Sequence, residues 1–337
     1  MHDLTQRKNG FVEMAYTGKK PWHGLGQALA QGASIEEWQK AAGMDWQIKR
    51  SKMRYAVSSD PAAALVVDDS IHVLFRSDTS AKLGIVGGGF KVVQPHEVLE
   101  FFRGLAGAAG FELCTAGTLG GGKRFWAQAE ANMKDTIVGA DVVESKLLVA
   151  TACDGTMNTV VKRVVERVVC ANTIAIALSE KGKEFRLSHR SEFKPEDAKK
   201  ALGLAEESFH SFVLDARELS KADVGPELAD KFLIDLMTDY SFTISDGQPA
   251  EEHAVKLDAA RSSAGYKKVL ALFNGEGRGS QAKGVSGTAW GLLNAVTEYV
   301  DHHRGRSNDT RMSYAWFGPG DALKTAAMKQ ALKMIRA

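Results

Sequence analysis

Residues 111–126 read FELCTAGTLGGGKRFW, and the fold depends on the structure taken up after the glycines. Gly117-x-x-x-x-Gly122-Lys123 is one residue short of a phosphate-binding P-loop. A P-loop places Ser or Thr after the lysine to hold magnesium, where this chain has Arg124. It also needs a helix after the glycines, so that phosphate meets the helix N-terminus. The residues after Lys123 are instead Arg124-Phe125-Trp126-Ala127-Gln128-Ala129-Glu130, aromatic and then alternating, which reads as a strand. The stretch is therefore a β-hairpin with a glycine-rich, doubly basic tip. Glycines let backbone amides approach an anion, and Lys123 and Arg124 add positive charge beside them. Phe125 and Trp126 either offer a stacking face to a base or belong to the core, with the basic pair as a solvated turn.

Outward from the hairpin, the pattern is α+β with mainly antiparallel pairing. Ser34 and Glu37 form a capping box for a short helix closed by Gly43. Residues 45–58 suggest strands, and residues 63–77 a hairpin turning at Asp68-Asp69-Ser70. Leu83 to Gln94 is a strand broken by glycines. Pro95 then opens a helix to Ala109, with Val98, Phe101, Phe102 and Leu105 on one face. Lys146 to Ala152 reads as a buried strand ending in an Asp154-Gly155 turn. The valines at 160, 161, 164, 165, 168 and 169 favour a further strand, and Asn172 then caps a helix from Thr173 to Leu178. From Lys194 the pattern becomes helical: Pro195 to about Leu219, Pro226 to about Tyr240, Gly287 to His302, and Pro319 to Ile335. The expected division is an α+β core over 1–193 and a mainly helical region over 194–337.

The net charge of +2 over 337 residues excludes a polybasic binder, so any electrostatic footprint is local. Residues 160–194 carry eight Lys or Arg against four Glu, and residues 46–54 carry Lys49, Arg50, Lys52 and Arg54 with no acid. Residues 223–258 carry nine acids against Lys231 and Lys256. The opening MHDLTQRKNGFVEMAYTGKK has no apolar core of a secretory leader, and no apolar run reaches the length of a membrane span. Cys114, Cys153 and Cys170 are far apart and odd in number, which fits free thiols in a reducing cytoplasm.

Several segments together resemble a family of phage- and plasmid-encoded proteins known as domain of unknown function 932. They are Trp22-His23-Gly24-Leu25-Gly26, Gly117 to Trp126, Cys153-Asp154-Gly155 and Val168 to Leu178, with Gly287 to His302 similar to a longer subgroup. The resemblance implies mobile-element biology beside DNA replication or recombination genes. The hairpin-plus-helix layout also invites comparison with phage single-strand annealing proteins, an analogy of fold alone.

Three kinds of chemistry compete. Glu298, Asp301, His302 and His303 cluster at one helix end and would hold a divalent cation if another segment supplied ligands; the alternative is a solvated helix end. Cys153 or Cys170 would be a nucleophile only with a basic neighbour, for which Arg163 or Arg167 is available. Nucleic-acid binding is preferred, because single strands need a positive groove and aromatic faces together. Lys123, Arg124, Lys162, Arg163, Arg167, Arg186 and Arg190 are the expected phosphate contacts, with Trp126 or Tyr55 stacking on bases. The expected protein is a non-catalytic, cytoplasmic, oligomeric binder of single-stranded DNA, of the annealing kind used in recombination. It calls for no cofactor and no membrane. The alternatives are a metal- or nucleotide-dependent nucleic-acid enzyme and a protein that blocks host defence by binding a host protein.

Overall fold

The computed structural model describes residues 4–21, 23–60, 64–109, 111–176, 184–191, 205–241, 250–304 and 311–336. The chain begins with β1 (Met14–Thr17), β2 (Gln27–Leu29), α1 (Ile35–Ala41), β3 (Ile48–Ala56), β4 (Leu65–Arg76), β5 (Lys82–Gly87) and α2 (Pro95–Ala109). The strands β6 (Glu112–Leu119), β7 (Arg124–Val138), β8 (Asp141–Ala152), β9 (Thr159–Arg167), β10 (Asn172–Ile176) and β11 (Glu184–Leu187) come next. The helices are α3 (Ala205–Leu219), α4 (Pro226–Ser241), α5 (Ala250–Ser262), α6 (Ala264–Ala271), α7 (Ala289–Glu298), α8 (Arg311–Phe317) and α9 (Pro319–Arg336).

The main sheet runs β10-β9-β8-β7-β6-β1-β2, with β11 on β9 beyond the end of β10; a second sheet runs β3-β4-β5. Every pairing is antiparallel except β1 with β2. The α+β class read from the sequence is thus the class of the fold. Ser34 caps α1 with the full capping box to Glu37. The glycine-tipped hairpin is β6–β7, joined through Gly120–Gly122. The valine-rich stretch is β9, a strand inside the sheet with side chains buried on both faces, which explains its lack of alternation.

Two local readings are overturned. Residues 65–76 form one strand, not a hairpin. The Asp68 carboxylate does accept from the Ser70 amide at 2.8 Å, but this turn only bulges the strand, shifting its register on β3 between Lys52 and Met53. Residues 172–176 are β10, not a helix opening. Ala171, at φ 54°, helps reverse the chain, and Asn172–Ile176 pair with Arg167–Arg163, so a sheet partner outweighs helix propensity. The strand read from Lys146 to Ala152 is longer in the fold, β8 beginning at Asp141. The expectations for Trp22, the side chain of Leu105, residues 177–178 and the stretch from Pro195 to Leu204 lie outside the described residues.

Alternation along β7, β8 and β9 assigns the sheet's two faces. Phe125, Ala127, Ala129, Leu147, Val149 and Val161 pack with α1, α2 and the small sheet. Farther along, Ile137, Val143 and Val165 join one core with Phe209, Phe212, Phe232, Trp290 and Leu323 of the helices. Trp126, Leu148, Ala150, Val160 and Val164 pack with the amino-terminal segment and Met312. The C-terminal helices therefore share a core with the sheet.

Candidate nucleic-acid interface

The hairpin tip needs glycine. Gly120, Gly121 and Gly122 all have positive φ, at 60°, 74° and 92°, in the left-handed region. A Cβ at Gly122 would also stand 2.8 Å from Arg76 Nη1 and 2.9 Å from Trp46 Cζ2. The tip is fixed from below. Arg76, 3% exposed, donates to Glu13 at 2.7 Å and to the Gly121 carbonyl at 3.4 Å, and its guanidinium lies 4.2 Å over Trp46. The Gly122 amide donates to Thr5 Oγ1, so that amide belongs to the fold and not to an anion cradle. Lys123 is exposed and Arg124 half-buried, donating to Thr156 Oγ1 at 3.1 Å. The chain then enters β7, so no helix N-terminus faces the tip and the P-loop reading does not hold.

Four of the expected contacts are inside the protein. Trp126 is fully buried, edge-on to Trp316 with ring centroids 5.1 Å apart. Lys162 donates to Asp321 Oδ2 at 3.0 Å and to the Trp316 carbonyl. Arg163 donates to Ser145 Oγ at 3.1 Å. Arg167 donates to Asp141 Oδ1 at 2.7 Å and to the carbonyls of Arg278 and Gly279, while Asp141 also accepts from Trp290 Nε1. Three cations on an interior strand are thus buried, and no phosphate or base reaches them or Trp126 in this fold. Lys162 fastens the sheet to the last two helices, Arg167 fastens it to the loop at Arg278–Gly279, and Arg163 ties β9 to β7 and β8.

The remaining candidates stay outside. Arg186 and Arg190 are exposed on β11 and the turn after it. His189, buried between them, stacks on Phe90 at 4.4 Å and bridges the carbonyls of Lys91 and Met157. Tyr55 is 49% exposed on β3. Lys49, Arg50, Lys52 and Arg54 share that strand, and all four are exposed. They belong to the charge pattern of the sequence but not to its expected contact set. The small sheet touches the tip region through Gly84, where an added Cβ would lie 2.7 Å from Asp154 Cα. The Cys153 amide in turn donates to the Lys123 carbonyl. The base of the basic strand also meets the tip, since Ile48 pairs with Arg76, which donates to the Gly121 carbonyl, while Arg54 and Tyr55 lie in the outer half of the ribbon.

The metal and thiol readings do not survive the geometry. Asp301 accepts from Lys324 at 2.7 Å and from the Thr173 amide; His302 Nε2 faces the Cys170 carbonyl and Asn172; Glu298 accepts from the Arg278 amide. A π-turn over Tyr299–His303 widens the helix end, so the i+3 and i+4 spacing no longer aligns these groups. Among the described residues, no group of three or more His, Cys, Asp or Glu could hold a metal ion. All three thiols are buried, and burial pushes them up, Cys114 and Cys153 to about 12 and Cys170 to about 11. Arg167 reaches Cys170, but desolvation outweighs its charge.

The family model for a domain of unknown function (DUF932) matches residues 82–316, and the chain belongs to that family. No curated protein and no solved structure matches the chain. Among the described residues, no helix is long and apolar enough to cross a membrane.

Proposed function

We propose that this chain is a non-catalytic single-stranded DNA-binding protein of the annealing kind, active in recombination on phage or plasmid DNA. Lys49, Arg50, Arg54, Lys123 and Arg124 hold phosphates, and Tyr55 stacks on a base. Arg186 and Arg190 extend the path along β11. The observation that carries this reading is β3. Its nine residues hold four exposed cations, no acid and a half-exposed tyrosine, and its base at Ile48 pairs with the Arg76 that holds the glycine tip and its second basic pair. Phosphate contact supplies affinity without sequence preference, and an aromatic face accepts any base. Leaving Watson–Crick edges free would let a complementary strand pair. Three buried free thiols support a reducing, cytoplasmic setting.

Fluorescence polarisation of a labelled oligonucleotide, single-stranded and duplex, across a salt series tests the proposal. Salt-sensitive binding that prefers the single strand is expected. Absence of binding to either form at low salt would refute it.

A further inference from the structure

Among the described residues, the outer half of the β3–β4 ribbon stands apart from every core cluster. Met53–Ala56 pair with Asp68–Leu65, whereas β5 begins to pair with β4 only at Ile71. The side chain of Gln94 occupies the β3 edge at Ile48, exchanging bonds with both its amide and its carbonyl. Beyond that point no described strand adds to the β3 edge, and none adds to the β4 edge at Leu65–Asp69. Tyr55, Val57, Leu65, Val66 and Val67 are 40% to 70% exposed here, half of the ten exposed large apolar side chains among the described residues. Among the described residues no layer covers either face of this ribbon; an uncovered two-stranded ribbon is marginal in water, and its open edges are templates for pairing.

The two edges differ in charge. The β3 edge carries Lys52 and Arg54, and the β4 edge carries Asp68 and Asp69. Within one copy Lys52 already reaches Asp69 across the ribbon at 2.6 Å. We propose that this arm is where copies of the chain join, the β4 edge of one copy adding to the β3 edge of the next. β3 and β4 are antiparallel within a copy, so copies in the same orientation meet as antiparallel strands and the sheet continues from one to the next. Like-edge joining is disfavoured. β3 against β3 brings cations together, and β4 against β4 brings carboxylates together. A head-to-tail contact generates a ring or a filament. Strand addition uses backbone groups and leaves side chains on the faces, so Arg50, Lys52 and Arg54, which share one face of β3, recur on that face in successive copies.

The inference rests on the arm's edges and goes beyond the nucleic-acid reading; it is tested without DNA. Sedimentation velocity over a wide range of protein concentration should show the native chain assembling. Lys52→Glu/Arg54→Glu and Asp68→Lys/Asp69→Lys should each sediment as a monomer. Mixed together they should reassemble, because each edge of one variant is then complementary to the opposite edge of the other. A native chain that stays monomeric, variants that assemble like the native chain, or a mixture that stays monomeric would each overturn the proposal. The Asp68→Lys/Asp69→Lys variant keeps every proposed phosphate contact. If it retains DNA binding while losing assembly, the two proposals stand apart.

Discussion

Replacing Lys49, Arg54, Lys123 and Arg124 together by glutamine should flatten the salt dependence of single-strand binding without unfolding the protein. Lys49, Arg54 and Lys123 are exposed, and the half-buried Arg124 has Thr156 as its hydrogen-bond partner, so the change removes charge and little packing. Each phosphate contact to a single strand contributes about 0.7 to the slope of log K against log salt, so four contribute about 2.8. Between about 50 mM and about 200 mM salt, the native protein should therefore lose roughly 50-fold more affinity than the variant. Polarisation titrations at both salts measure this, with far-UV circular dichroism confirming the fold. The internal contrast is Arg167→Met, which strips a partner from the buried Asp141 carboxylate. It should destabilise by about 3–5 kcal/mol by breaking a buried ion pair. An unchanged salt slope in the four-site variant would refute the placement of the interface on β3 and the tip.

Two further outcomes concern the buried polar cluster that fastens α9 to β10. Lys324→Met leaves the Asp301 carboxylate without its cation and should destabilise by about 3–5 kcal/mol at neutral pH, with Asp301→Asn/Lys324→Met recovering most of the loss in urea unfolding. Burial pushes Asp301 upward, so the single-variant loss should shrink as pH falls and the carboxyl takes up a proton. Burial, with Arg278 nearby, pushes His302 down from 6.5 to about 3. Between those values the unfolded chain binds the extra proton, so stability is lost as pH falls from about 6.5 toward about 3, by about 5 kcal/mol in all. Asp301 and Glu298, both pushed upward by burial, act in the opposite sense. The clean measurement is the difference between native and His302→Gln stability against pH. A difference that stays constant over that range would refute the assignment.

Much of the fold is local and so legible in the chain. The Ser34 capping box, Pro95 opening α2, and the three glycines between two strand patterns each act through their own backbone chemistry. The class rests on these. The sorting of charges is where the sequence misleads. Lys162, Arg163 and Arg167 sit among valines that fill both faces of β9, a sign of an interior strand whose charged groups point inward. Lys49, Arg50, Lys52 and Arg54 lie in IKRSKMRYA, where no apolar face repeats, a sign of an open edge. That contrast is present in the sequence, but a count of charge does not record which face it occupies.

The sequence by itself determined the glycine-tipped hairpin, the mainly antiparallel class, the family and the positions of the helices that carry their own caps or apolar stripes. The tertiary structure alone decided that residues 65–76 form one strand, that Asn172–Ile176 pair with β9, and that the central cations face Asp141, Asp321 and Ser145. The physical reason is range. A cap or a turn is settled within a few residues, whereas a strand's partner, and the side of the sheet on which a lysine ends, depend on residues far away in the chain.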